Sequence, residues 1–145
     1  NRYYKGSDTI IPVCNELAKR NDVEFVLIEN RSHKETQNIK QSCDIFVDQL
    51  YNRGGWGYGM NSVEAMALGL CCMTQMNNQC NQFFKNHPFL NINEINLTQQ
   101  LEYLISNPEI IDNYKTKSIE WVKEKHDIKN VGMLLYQNYN RLLNE

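Results

Sequence analysis

Gly54-Gly-Trp-Gly-Tyr-Gly-Met-Asn-Ser-Val-Glu-Ala-Met-Ala-Leu-Gly69 is the stretch on which the reading of this chain turns. Four of the chain's seven glycines fall in its first six positions. The apolar triplet Ile45-Phe46-Val47 comes shortly before it, and a run of helix formers, residues 62–68, closes it. The pattern is strand, glycine loop, helix. Glycine admits positive φ and lets the backbone come close to a ligand. The helix N-terminus that follows offers unpaired N–H groups and a positive dipole end, which suits a phosphate or carboxylate.

Outward from this loop the chain alternates. On the N-terminal side, residues 44–50 predict a strand, residues 32–42 a helix polar on most faces, and residues 23–28 (Val-Glu-Phe-Val-Leu-Ile) a short buried strand. Before those, Ile10, Ile11, Val13, Cys14, Leu17 and Ala18 recur at helical spacing, with Ser7 or Asp8 as cap and Pro12 in the first turn. On the C-terminal side, Gly69 stops the loop's helix, and residues 70–76 predict a strand rich in Cys and Met. Residues 77–86 read as a polar loop with one helical turn at 82–84, and residues 87–92 as an edge strand with Pro88 at its start. Helices are expected over 97–106, 109–125 and 129–143, the last with Val131, Leu134, Leu135, Tyr139 and Leu142 on one side.

Strands alternating with helices in this way predict an α/β fold, a parallel sheet with helices on both faces. Ligands of such sheets bind beyond the carboxyl ends of the strands, where the glycine loop lies. Residues 1–6 would lie beyond a second strand end if a strand preceded Asn1. The expectation is therefore one domain, residues 1–145, excised from a longer protein whose first strand lies upstream. The sheet edge left open by that strand would favour self-association.

At 145 residues the chain can bury a core. With a formal charge of −2, nothing favours a nucleic-acid partner or an acidic membrane surface, and none is expected. No apolar run approaches the roughly 20 residues that span a bilayer, and the opening residues carry no signal-peptide pattern. The five cysteines are odd in number and contain no CxxC pair. They predict reduced, buried thiols in a cytoplasmic protein rather than a disulfide frame or a zinc site.

The candidate site residues each admit two readings. Asn61 and Glu64 match a capping box, Asn61 as N-cap and Glu64 at N3. Alternatively, the Glu64 carboxylate accepts two hydrogen bonds from a vicinal diol such as a ribose. Arg2 and Lys5 are ordinary surface cations, or together hold a diphosphate beside a helix N-terminus. Trp56 and Tyr58 pack the loop down or stack on a ligand. His33, His87 and His126 share no ligand spacing and read as surface or packing residues. Asp44 resembles a turn residue, while Asp48 is positioned to enter the crevice.

Arg2-x-x-Lys5-Gly6, Asp44-Ile-Phe-Val and Gly57-Tyr-Gly-Met-Asn-Ser-Val-Glu64-Ala-Met-Ala-Leu-Gly69 together resemble the C-terminal, donor-binding domain of glycosyltransferase family 4, of the GT-B fold. The likeness covers nearly the whole chain and is nearest to bacterial sugar transferases for surface polysaccharide. It implies a Rossmann-like domain with the last helices packing across it. It also implies retaining transfer from a nucleotide-diphosphate sugar to an acceptor hydroxyl, without a required metal or other cofactor. Glu64 would bind the ribose, and Arg2 and Lys5 would stabilise the leaving diphosphate. Gly57, Tyr58, Gly59, Met60, Asn61 and Ser62 would form the loop that meets sugar and phosphate, with Val63 near the ribose or base. Trp56 stands where the family's first Glu contacts the donor sugar, which leaves the sugar open. The partner implied is the protein's own N-terminal acceptor domain, through which alone a peripheral membrane contact would arise; the isolated domain would be inactive. Two other readings remain: a non-catalytic nucleotide-binding or assembly module, and a sugar-nucleotide epimerase on the same fold.

Overall fold

A computed structural model describes residues 2–51, 53 and 57–144. Its elements run α1 (Arg2–Lys5), α2 (Ser7–Leu17), α3 (His33–Lys40), β1 (Ile45–Gln49), α4 (Met60–Ala67), β2 (Cys71–Thr74), α5 (Asn78–Phe83), β3 (Leu90–Asn91), α6 (Leu97–Ser106), α7 (Pro108–His126) and α8 (Ile128–Leu143). The strands form one parallel sheet in the order β1-β2-β3. The architecture is α/β. Parallel neighbours need crossover connections, which α4 and α5 provide.

β2 is the middle strand, and all four of its residues are buried. Alternation along the strand divides its side chains between two cores. Cys71 and Met73 pack with Ile10 and Leu17 of α2 and Leu97 and Leu101 of α6. Cys72 packs with Met66 of α4, Cys80 of α5 and Trp121 of α7. Helices thus cover both faces, which is why the strand carries no charged residue.

The ladder between β1 and β2 slips once. Val47 pairs with Met73 and Gln49 with Thr74, so Asp48 has no partner across the ladder. The aspartate at the slip is the residue that enters the site.

Several expectations are corrected. Residues 23–28 are extended but belong to no strand. Val26 and Leu27 stay 39% and 47% exposed. Among the described residues, no backbone–backbone hydrogen bond involves residues 24–29. An apolar run becomes a strand only beside a partner, and this one has none next to it. Gly6, not Ser7 or Asp8, occupies the N-cap of α2, with φ of 74°. Its left-handed backbone, and a tyrosine ring 2.8 Å from where a Cβ would lie, exclude other residues there. Pro12 lies inside α2 rather than in its first turn, so the Asp8 carbonyl lacks its usual helical donor. Residues 78–83, read as loop, form α5 because the Asn77 side chain caps it, accepting from the Cys80 amide at 2.7 Å.

Two helices pack beside α4. The Ser32 hydroxyl caps α3 by accepting from the Glu35 amide, and the Glu35 carboxylate returns a bond to the Ser32 amide at 2.9 Å. Pro108 opens α7, which packs across α4 and β2. α8 has no buried residue and leaves Leu134, Leu135, Tyr139 and Leu142 exposed. Among the described residues, no helix is long and apolar enough to cross a membrane.

Candidate functional site

The site is built where the carboxyl end of β1 meets the N-terminus of α4. α4 starts at Met60, with Gly59 as an extended N-cap that offers no side-chain cap. The Ser62 and Val63 amides donate to the Gly59 carbonyl. Among the described residues, the Met60 and Asn61 amides have no backbone partner, as expected of a helix's first turn. A Cβ on Gly59 would stand 3.9 Å from Lys5 Nζ and 3.8 Å from Asp48 Oδ2. An ammonium group therefore stands beside the positive end of the helix.

Asp48 holds that ammonium in place. Its carboxylate is nearly inaccessible, 1% exposed, and takes Lys5 Nζ at 2.6 Å on Oδ1. The buried Ser62 hydroxyl donates to the other oxygen, Oδ2. Lys5 also reaches Gln49 Oε1 at 3.4 Å, and its carbonyl accepts from the Leu50 amide at 3.0 Å. The Gln49 amide donates to the Gly57 carbonyl at 2.8 Å and ties the glycine loop to the strand end. Among the described residues two acceptors face the three ammonium donors, and the Lys5 side chain remains 34% exposed.

Glu64 sits on the next turn of α4. The capping box does not form: with Gly59 as N-cap, Asn61 lies at N2 and Glu64 at N5. Instead α3 supplies the partners of both. Lys40, whose side chain is 1% exposed, donates to Asn61 Oδ1 at 2.5 Å and to Glu64 Oε2 at 3.2 Å. Gln37 donates to the same Glu64 oxygen at 2.7 Å, and His33 lies 3.3 Å from the other. Burial raises the Glu64 pKa, but the bonds from Lys40, His33 and Gln37 and the Lys40 charge outweigh it and leave a net shift downward. The carboxylate is one third exposed, which leaves it reachable from solvent.

The remaining candidates divide. Arg2 is not at the α4 terminus. Its guanidinium closes bidentately on Glu29 at 2.8 and 2.7 Å, although it lines the same cavity as Lys5, Asp48 and Asn61. Tyr58 packs the loop down. Its ring stacks on Phe89 and meets the edges of Phe84 and Trp121, its hydroxyl lies 3.2 Å from His126 Nε2, and burial pushes its pKa up to about 12. Gly57 has φ of 145°, and a Cβ there would stand 2.3 Å from Cys80 Sγ. Met60 is 71% exposed, whereas Val63 is only 7% exposed and belongs to the packed side of α4. Trp56 lies outside the described residues.

Lys40, Gln37 and Glu29 carry no sequence signal of a site. Among the described residues, no group of three His, Cys, Asp or Glu side chains converges as a metal site would. Comparison with protein-family models, with curated proteins and with solved structures gave no match.

Proposed function

We propose that this chain is the donor-binding domain of a retaining glycosyltransferase, the C-terminal half of a GT-B pair with a Rossmann-like fold. It would move a sugar from a nucleotide-diphosphate sugar to an acceptor hydroxyl in surface-polysaccharide synthesis. The observation that carries this reading is the Lys5 ammonium, fixed by Asp48 against the N-cap of α4. A diphosphate leaving group gathers negative charge as its bond to the sugar breaks. A held cation and the free amides of a helix N-terminus stabilise that charge without reorganising. The third donor of Lys5 and the Met60 and Asn61 amides are the groups that would meet it. Glu64, one turn on, supplies carboxylate oxygens for the ribose hydroxyls.

One observation favours a second reading, a nucleotide-binding or assembly module without catalysis. Arg2 is satisfied by Glu29, and Glu64 already accepts from Lys40 and Gln37 with His33 beside it. Calorimetric titration with UDP, GDP and ADP tests the first reading. It expects saturable binding of one diphosphate, weaker binding of the matching nucleoside, and about a tenfold loss in Glu64→Gln, which is about 1.4 kcal/mol. Binding unaffected by Glu64→Gln removes the ribose role. No binding, by this chain or by one carrying an acceptor domain, favours the second reading.

A further inference from the structure

Leu50, Tyr51 and Arg53, just past the carboxyl end of β1, fold back over the turn that delivers Lys5. The Leu50 amide donates to the Lys5 carbonyl at 3.0 Å. Tyr51 lies against Gly6, and its hydroxyl is 3.2 Å from that of Thr9. Arg53 closes the stack. Its Cζ is 3.9 Å from the centre of the Tyr51 ring and 4.3 Å from that of Tyr3, and its Nη1 donates to the Tyr3 carbonyl at 3.0 Å. Two ring faces and one hydrogen bond orient this guanidinium before any ligand arrives, so less entropy is lost on binding. Among the described residues, its other four donors meet no acceptor and no carboxylate lies within ion-pair distance of it.

Resting on the donor-binding reading above, we propose that Arg53, and not Arg2, is the arginine of this site, and that its open edge takes the phosphoryl group of a nucleoside diphosphate that Lys5 and the α4 terminus do not hold. Charge balance is the reason. Arg2, Lys5 and Lys40 are each paired already, with Glu29, Asp48 and Glu64. Each of those pairs is formally neutral. What they leave for a ligand is the partial charge of the α4 N-terminus, roughly half an elementary charge, whereas a diphosphate brings several negative charges. Arg53 supplies a whole one. Its planar fork matches two oxygens of one phosphoryl group, while the Lys5 ammonium acts as a point charge. Arg2 would have to break a bidentate pair at 2.8 and 2.7 Å to do the same. Arg53 has no such pair to break. It is also anchored to the carbonyl of Tyr3, two residues before Lys5 in α1. The two cations are therefore carried on one short turn and keep a set spacing, which selects a ligand with two phosphoryl groups over a ligand with one.

The test titrates the 145-residue chain calorimetrically with UDP, GDP and ADP, with the matching monophosphates and with inorganic pyrophosphate, in wild type, Arg53→Gln, Arg53→Lys and Arg2→Gln. Arg53→Gln is expected to weaken binding of the favoured diphosphate, and of pyrophosphate, by about tenfold or more, the loss of a hydrogen bond to a charged group. Monophosphate binding should change by less than about twofold, because that ligand lacks the second phosphoryl group. Arg53→Lys keeps the charge without the fork and should fall between wild type and Arg53→Gln, which guards against a loss caused by unfolding. Arg2→Gln should leave diphosphate binding near the wild-type value. Diphosphate binding unchanged in Arg53→Gln, or an equal loss for mono- and diphosphate, overturns the assignment; binding that still depends on Glu64 then leaves the donor-site reading standing. Pyrophosphate bound through Arg53, with no nucleoside diphosphate bound more tightly, supports the Arg53 site and removes the ribose contact instead. Binding of neither pyrophosphate nor any diphosphate by the wild-type chain overturns the Arg53 site outright.

Discussion

Glu64→Ala, the obvious variant for testing a ribose contact, should also damage the fold, and by a calculable amount. Lys40 has a side chain 1% exposed and three acceptors: Asn61 Oδ1 at 2.5 Å, the Asn61 carbonyl at 3.4 Å and Glu64 Oε2 at 3.2 Å. Among the described residues, Glu64 is the one carboxylate within ion-pair distance of it. Breaking a fully buried pair by removing one partner costs about 3–5 kcal/mol. Glu64 is one third exposed and the contact is long, so the range for a charged hydrogen bond applies, about 1.5–3 kcal/mol. Near 2 kcal/mol, with about 3 °C per kcal/mol for a chain of this length, the melting temperature falls by about 6 °C. Glu64→Gln keeps an acceptor for Lys40 and should lose about half as much. Lys40→Met keeps the apolar stem, removes the buried charge and lets Glu64 turn to water, for a loss of about 1 kcal/mol. The double variant Lys40→Met/Glu64→Ala should be no less stable than Glu64→Ala alone, since no ammonium is then stranded. Thermal and urea unfolding followed by circular dichroism measures all four. A Glu64→Ala melting point within 1 °C of wild type, or strict additivity in the double variant, would refute the reasoning.

Three further outcomes are expected. Burial lowers the pKa of both His126 and His87 below 6.5, so the unfolded chain binds protons first and stability falls as pH drops through 6.5 toward the folded values. His126→Gln should flatten the melting-temperature profile between pH 7 and 5, and an unchanged slope would show that His126 does not contribute. Gly57→Ala combines a φ of 145° with a 2.3 Å approach to Cys80 Sγ and should cost about 3 kcal/mol in urea unfolding; in a Cys80→Ala background the penalty should shrink without vanishing, because the backbone strain stays. Cys14, Cys71, Cys72 and Cys80 are buried and Cys43 partly exposed, and burial raises the thiols of Cys14 and Cys71 to about 11 and 12. Brief maleimide labelling of the native protein with mass-spectrometric mapping should therefore modify Cys43 alone, and early labelling of Cys71 or Cys72 would contradict the burial of β2.

The parts of this fold that were legible in the sequence are those set by neighbours in the chain. α6 and α7 follow from apolar spacing and from Asn107-Pro108, and β2 from the Cys- and Met-rich run after Gly69. Positions set by partners distant in sequence were not legible. Asn61 and Glu64 have the spacing of a capping box, yet the glycine before Met60 starts the helix earlier, and Lys40, 21 and 24 residues away, takes both side chains. Nothing local in α3 announces that its last lysine will be buried under α4.

The same distinction bears on Asp48. Alternation puts its side chain on the sheet face of Phe46, which packs toward α4, and its carboxylate accepts from Ser62 of that helix. The slip in the ladder leaves it without a partner in β2, and Lys5, from the first turn of the chain, closes on it. That distant cation is what the composition of β1 does not announce. The consequence is a lysine whose position is set by three separate chain segments: the turn before Gly6, the bulge of β1 and the first turn of α4. Loss of any one frees the ammonium from the helix terminus. Asp48→Asn should therefore weaken nucleotide-diphosphate binding without touching the ligand, and should spare binding of the bare nucleoside. Equal loss for both ligands in parallel titrations would show that Asp48 holds up the fold rather than aiming Lys5.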